Sequence, residues 1–267
     1  MFHEINLFQG YVHYRTRKRK VEDEKPKTNL PKRKKREKIS KFSDESRKRL
    51  HRECLKIRFS QDFYFVTLTY QSGSIDLEDE TVEWKNDLQR FRVRIARSIP
   101  TLSALWKLEF TKLGVPHYHL ITHCQDTTST ELRNLVRKEW LKVTGSGSRG
   151  RFAHAVKVQQ VGNLEHVTRY MAKYVSKDAH ETNQEYVGRY WGYHNKGLFP
   201  HGELLKARLT RTELEHIRRV LACVYVPSKW KNVRANLTCT DQAFAVYLPY
   251  HIQFRLFSPF IRENEPF

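Results

Sequence analysis

Between Asp62 and Lys177 the apolar residues fall into short blocks whose spacing changes from one block to the next. "DFYFVTLTY", Asp62 to Tyr70, is a near-continuous run of aromatic and β-branched residues and predicts a buried strand. "LEDETVEWKNDLQRFRVRIARSIP" follows, with acids crowded at its start, Val82, Leu88, Phe91 and Ile95 at helical spacing, and Pro100 as a stop. "SALWKLEFTK" and "VPHYHLITH" read as two strands joined by the turn residues Leu113 and Gly114, a β-hairpin. "STELRNLVRKEWLKV" predicts a helix opened by a capping box, Thr128 with Glu131. After the loop "GSGSRG", "FAHAVKVQQV" alternates like a strand. "NLEHVTRYMAKYVSK" returns to helical spacing: Asn163 can cap it, and Val167, Tyr170, Met171, Tyr174 and Val175 share one broad face.

The order strand, helix, hairpin, helix, strand, helix predicts an α+β fold, a central antiparallel sheet of about five strands flanked by helices. Beyond Gly188 the pattern weakens. "GRYWGYHNKG" is aromatic and punctuated by glycine, "TRTELEHIRRVLACVY" predicts a further helix, and the last forty residues alternate too weakly to assign.

Upstream the texture differs. Residues 15–52 contain "RTRKRK", "PKRKKREK" and "RKRLHRE" with few large apolar side chains, which predicts a basic arm ending in a short helix. The expected division is therefore a basic, partly flexible arm over 1–58, a principal domain over 59–200, and a helical or irregular extension over 201–267. The chain carries 49 Lys and Arg against 29 Asp and Glu, a formal charge of +20. Such an excess repels itself, and a nucleic acid is the polyanion best suited to relieve it. Cys54, Cys124, Cys223 and Cys239 are far apart with no CxxC pair, against a zinc ribbon or a disulfide framework. Neither a signal-peptide pattern nor a run of 18 apolar residues occurs, so a cytoplasmic location is expected.

The candidate chemistry sits in the hairpin. Side chains at i and i+2 of a strand share a face, so His117 and His119 project together with Tyr118 opposite. A turn near Leu113 and Gly114 brings Glu109 across the ladder from these histidines. Two imidazoles and a carboxylate, with open positions left over, suit a Lewis-acid site for a divalent ion such as Mg²⁺ or Mn²⁺. His123 has the same parity but lies further down the strand, and reads as a core or supporting residue. On the later helix, Tyr170 and Tyr174 are four apart, as are Lys173 and Lys177. A phenol beside an ammonium suits attack on a phosphodiester, because lysine favours the phenolate and offsets charge building on phosphate. Aromatic residues at this spacing also serve as core anchors.

"FYFVTLTY", "PHYHLIT" and "YMAKYVSK", in this order, resemble the three motifs of the HUH endonucleases, of the rolling-circle replication initiator (Rep) type found in phages and plasmids. The resemblance covers roughly residues 60–195 and extends to "GRYWGYHN", which is similar to an element that follows the tyrosine helix in such initiators. It implies a ferredoxin-like (RRM-like) nuclease domain. In it His117, His119 and Glu109 would hold Mg²⁺ or Mn²⁺ against single-stranded origin DNA. It further implies a tyrosine nucleophile, a 5′-phosphotyrosine bond, a free 3′-OH for a host polymerase, and later rejoining. "YMAK" and "YVSK" both fit Tyr-x-x-Lys, with Tyr174 preferred over Tyr170. Arg169, Arg189, Lys112 and Trp191 are the expected DNA contacts, although Tyr190, Trp191 and Tyr193 could equally close the core. No G-x-x-x-x-G-K-[ST] occurs, so unwinding would fall to a host helicase, as in a bacterial or archaeal replicon. A single-tyrosine transposase, or a non-catalytic nucleic-acid-binding protein on the same scaffold, would use many of the same residues.

Overall fold

The computed structural model describes residues 3–8, 11–14, 39, 41–70, 83–112, 114–125, 127–144, 155–162, 187–202, 205–226, 231–238 and 244–261. They form two compact units. The larger draws on residues 37–54 and 58–200, the smaller on 1–36, 55–57 and 201–267.

The larger unit is built on five antiparallel strands: β3 (Phe63–Thr69), β4 (Ser103–Phe110), β5 (Pro116–His123), β6 (Val156–Gln160) and β7 (Trp191–His194), in the order β6-β3-β5-β4-β7. This is the α+β architecture expected from the pattern. Each strand is antiparallel to its neighbours, and β5 is central, which is why β3 and β4 on either side are almost wholly buried. The β4–β5 hairpin closes over Thr111–Val115. The Val115 amide donates to the Thr111 hydroxyl at 3.0 Å, and Gly114 takes a φ of 78°, a value that favours glycine. At the outer edge, Gly192 of β7 lies against the Trp106 ring, and a Cβ there would stand 2.9 Å from it.

Alternation gives the sheet two distinct sides. One is covered by α2 (Glu83–Ser98) and α3 (Ser129–Val143). Trp84, Leu88, Phe91 and Ile95 form the buried stripe of α2, and Leu132, Val136 and Trp140 that of α3. Trp140 packs edge-on against Phe91, Tyr70 and Tyr118, and its indole N–H donates to the Thr69 carbonyl at 3.1 Å. The capping box of α3 forms as expected, with Thr128 Oγ1 accepting from the Glu131 amide and the Glu131 carboxylate accepting from the Thr128 amide. On the other side, α1 (Asp44–Leu55) meets the β7 edge, where Trp191 donates to Ser46 Oγ at 3.0 Å and Tyr193 to Glu53 at 2.9 Å.

The smaller unit has a four-stranded antiparallel sheet in the order β8-β1-β2-β9, from β1 (His3–Phe8), β2 (Tyr11–Tyr14), β8 (Leu205–Leu209) and β9 (Phe244–Tyr247). Ile5, Leu7, Val12, Ala207, Phe244 and Val246 join residues of α4 (Arg211–Val220), α5 (Lys231–Thr238) and α6 (Tyr250–Phe257) in one core. The structure thus redraws the expected division. Residues 3–14, assigned to the arm, are strands that pair with the C-terminal segment, while Asp44–Leu55 of the same arm is a helix of the larger unit. The C-terminal segment carries two strands and a core rather than an irregular extension. Among the described residues no helix is long and apolar enough to cross a membrane.

Candidate metal centre and its strands

Register places the polar residues of three strands in one patch. Glu109 pairs with His117 across the hairpin, Lys107 pairs with His119, and Thr67 of β3 pairs with His119 from the other side. Their shared parity puts Thr67, Lys107, Glu109, His117 and His119 on the sheet side away from α2 and α3. Tyr118, between the histidines, turns to the helices, where it is fully buried and donates to the Trp84 carbonyl at 2.9 Å.

His119 is held at both nitrogens. Nδ1 lies 3.4 Å from Thr67 Oγ1, and Nε2 lies 3.3 Å from Glu109 Oε2. One neutral tautomer satisfies both, with the threonine hydroxyl donating to Nδ1 and Nε2–H donating to the carboxylate. The second carboxylate oxygen accepts from Lys107 Nζ at 2.6 Å. Lys107 is only 3% exposed, and its ammonium stands 5.3 Å from the centre of the Phe42 ring, a cation–π contact. Burial pushes the Glu109 carboxyl up, but the His119 hydrogen bond and the Lys107 charge outweigh it and leave the group below the ordinary carboxylate value.

The separation of His119 Nε2 from Glu109 Oε2 approximates that of two neighbouring ligands each roughly 2.1 Å from one ion. The donor set, imidazole and carboxylate, therefore fits a divalent cation in chemistry and in aim. The His117 ring completes the set from 6.3 Å between ring centres. Among the described residues no three His, Cys, Asp or Glu side chains are already gathered around a single point.

His123 lies at the far end of β5, 4.0 Å from Asp62 and packed against Phe63. Burial holds its imidazole below the usual value, and Asp62 opposes that shift. Of the expected DNA contacts, Lys112 is exposed at the hairpin turn and Arg189 is exposed just before β7. Trp191 is half-buried and hydrogen-bonded to α1, and Tyr190 stacks on Phe42. Arg169, Tyr170, Lys173, Tyr174 and Lys177 lie outside the described residues. Two site residues escaped the sequence reading, Lys107 and Thr67. Both could be found from parity, since Lys107 precedes Glu109 by two in "WKLEF" and Thr67 begins the polar end of β3.

Residues 63–179 match the family model for the replication-associated protein ORF2 and its relatives. The matched span begins with β3 and contains the β4–β5 hairpin, β6 and both Tyr-x-x-Lys sequences. It supports a protein of DNA replication. No curated protein and no solved structure matches the chain.

Proposed function

We propose that the chain initiates rolling-circle replication by nicking single-stranded origin DNA through a tyrosine and later rejoining the ends. The observation that carries this reading is the Glu109–His119 contact, with His117 opposite Glu109, inside a span that matches replication-associated proteins. Glu109, His117 and His119 would hold Mg²⁺ or Mn²⁺, which when bound supplies charge stabilisation at a phosphoryl oxygen.

The chain's own residues do the rest. Lys107 fixes one Glu109 oxygen and leaves the other toward His119, while Thr67 sets the imidazole's orientation. The Tyr174 oxygen attacks phosphorus, with Lys177 favouring the phenolate. The bond to the 3′ oxygen breaks, that oxygen takes a proton, and the 5′ phosphate stays on the tyrosine. Tyr170 with Lys173 is the alternative nucleophile. The 3′-OH then primes a host polymerase, and a host helicase opens the duplex, in the cytoplasm of a bacterial or archaeal cell.

Incubation with a labelled single-stranded hairpin and Mn²⁺, with and without EDTA, tests this. A denaturation-resistant adduct that EDTA prevents is expected, and Tyr174→Phe should abolish it. Loss in Tyr170→Phe instead would move the nucleophile. DNA binding that ignores EDTA and leaves no adduct with any divalent ion would replace the reading by that of a non-catalytic binder.

A further inference from the structure

The helix layer carries charge that the site above does not use. Helix α2 presents Lys85, Arg90, Arg92, Arg94 and Arg97, and a groove of about 280 Å³ separates it from α3. Gln89, Arg90, Val93, Arg94, Lys142 and Val143 line this groove. The side chains of Arg90, Arg94 and Lys142 are 61%, 37% and 49% exposed, so they meet solvent as a cluster. The neighbouring acids do not cancel them. Asp87 is buried and bonded to the Tyr70 hydroxyl and Arg90, and Glu139 is buried against Arg94 at 2.6 Å and Lys142 at 3.5 Å.

Cations also crowd the opposite flank of α2. The Lys85 ammonium donates to the Arg189 carbonyl, and burial followed by the Arg189 charge pulls it down to about 7. The same two causes lower Arg92. A ridge whose positive groups repel one another is relieved by an external anion.

We infer that the α2–α3 groove is a second nucleic-acid surface, one that grips the phosphate backbone of duplex DNA. Duplex is favoured over a single strand because no aromatic side chain lines the groove, and single-strand grooves rely on stacking platforms. Cations spaced along two helices meet phosphates without reading bases. The groove lies on the side of the sheet opposite Glu109, His117 and His119, beyond a helix layer about 10 Å thick. A strand bound at the histidines and a duplex bound here are therefore held by different surfaces. The inference stands apart from the tyrosine chemistry, because adduct formation reads one face and duplex binding the other.

The test compares the full chain with the variant Arg90→Gln/Lys142→Gln, using a non-specific duplex and a single strand of equal length across a salt series. Losing two phosphate contacts should flatten the log–log salt slope for duplex by about 1.8, with duplex affinity falling roughly tenfold. Single-strand affinity and adduct yield on a short hairpin should stay unchanged, and Arg90→Lys/Lys142→Arg should restore duplex binding. An unchanged duplex slope overturns the inference, as does an equal loss for both nucleic acids. A loss confined to a poly-glutamate probe would overturn it too, in favour of an acidic protein partner. Should the double variant melt early, a photo-crosslinker on Val93→Cys decides, since it must capture duplex DNA in preference to single strand.

Discussion

Alternate residues of β4 and β5 go to opposite sides of one sheet, and the two sides are held together by different forces. Toward the helices, Trp106, Leu108 and Tyr118 meet Trp84, Phe91 and Trp140 in an aromatic and aliphatic layer that excludes water. Toward the histidines, Lys107, Glu109, His117 and His119 are buried or half-buried polar groups, and Lys107, Glu109 and His119 are seen held by partners. Packing is non-directional and tolerant of small shifts, whereas a buried charge pair is only as good as its geometry. The helix side should therefore govern stability, and the histidine side should govern what the sheet can bind.

The largest expected effect lies on the helix side. Trp140→Ala removes a fully buried ring that touches three other aromatics, and should cost about 4 kcal/mol in urea unfolding. A loss below about 1 kcal/mol would mean that this layer is not what holds the unit together.

Next comes the polar side. Lys107→Met leaves the Glu109 carboxylate buried beside His119 alone, and should cost about 3 kcal/mol. The double change Lys107→Met/Glu109→Leu removes both charges and should return most of that stability while abolishing the adduct. A double variant as unstable as the single one would show that the pair is not energetically coupled.

The smallest effect tests a polar residue on the helix side. His194 is buried, and burial, then the Arg92 charge, pulls its imidazole down to about 4. The unfolded chain takes up this proton near pH 6.5 and the folded chain does not, so stability is full above that value. It should fall by roughly 2 kcal/mol as pH drops toward 4. In His194→Gln that part of the pH dependence should vanish from the unfolding free energy, and its persistence would assign the loss to another group.

Legibility in the sequence followed the range of the interactions. The hairpin and the α3 capping box are local, closed within a few residues, so turn chemistry and parity suffice to put Glu109 opposite His117 and to start the helix at Thr128. Lys107 is hard to read because a lysine in a strand suggests a solvent-facing cation. It is inside because Glu109 neutralises it and Phe42, from a distant segment, covers it. Trp191 reads equally as a stacking platform or as core, and only its bond to Ser46 in α1 separates the two.

By itself the sequence determined the order of the elements, the faces of the hairpin and an excess of positive charge that calls for a polyanion. These depend on side-chain period, turn residues and composition, all of which are carried within one short segment. Only the tertiary structure decided that β7 extends the sheet beside β4, and that β1 and β2 leave the basic arm to pair with β8 and β9. Strands of four to six residues bury too little alone to declare themselves. Their partners lie far along the chain, and backbone pairing leaves no mark on local spacing.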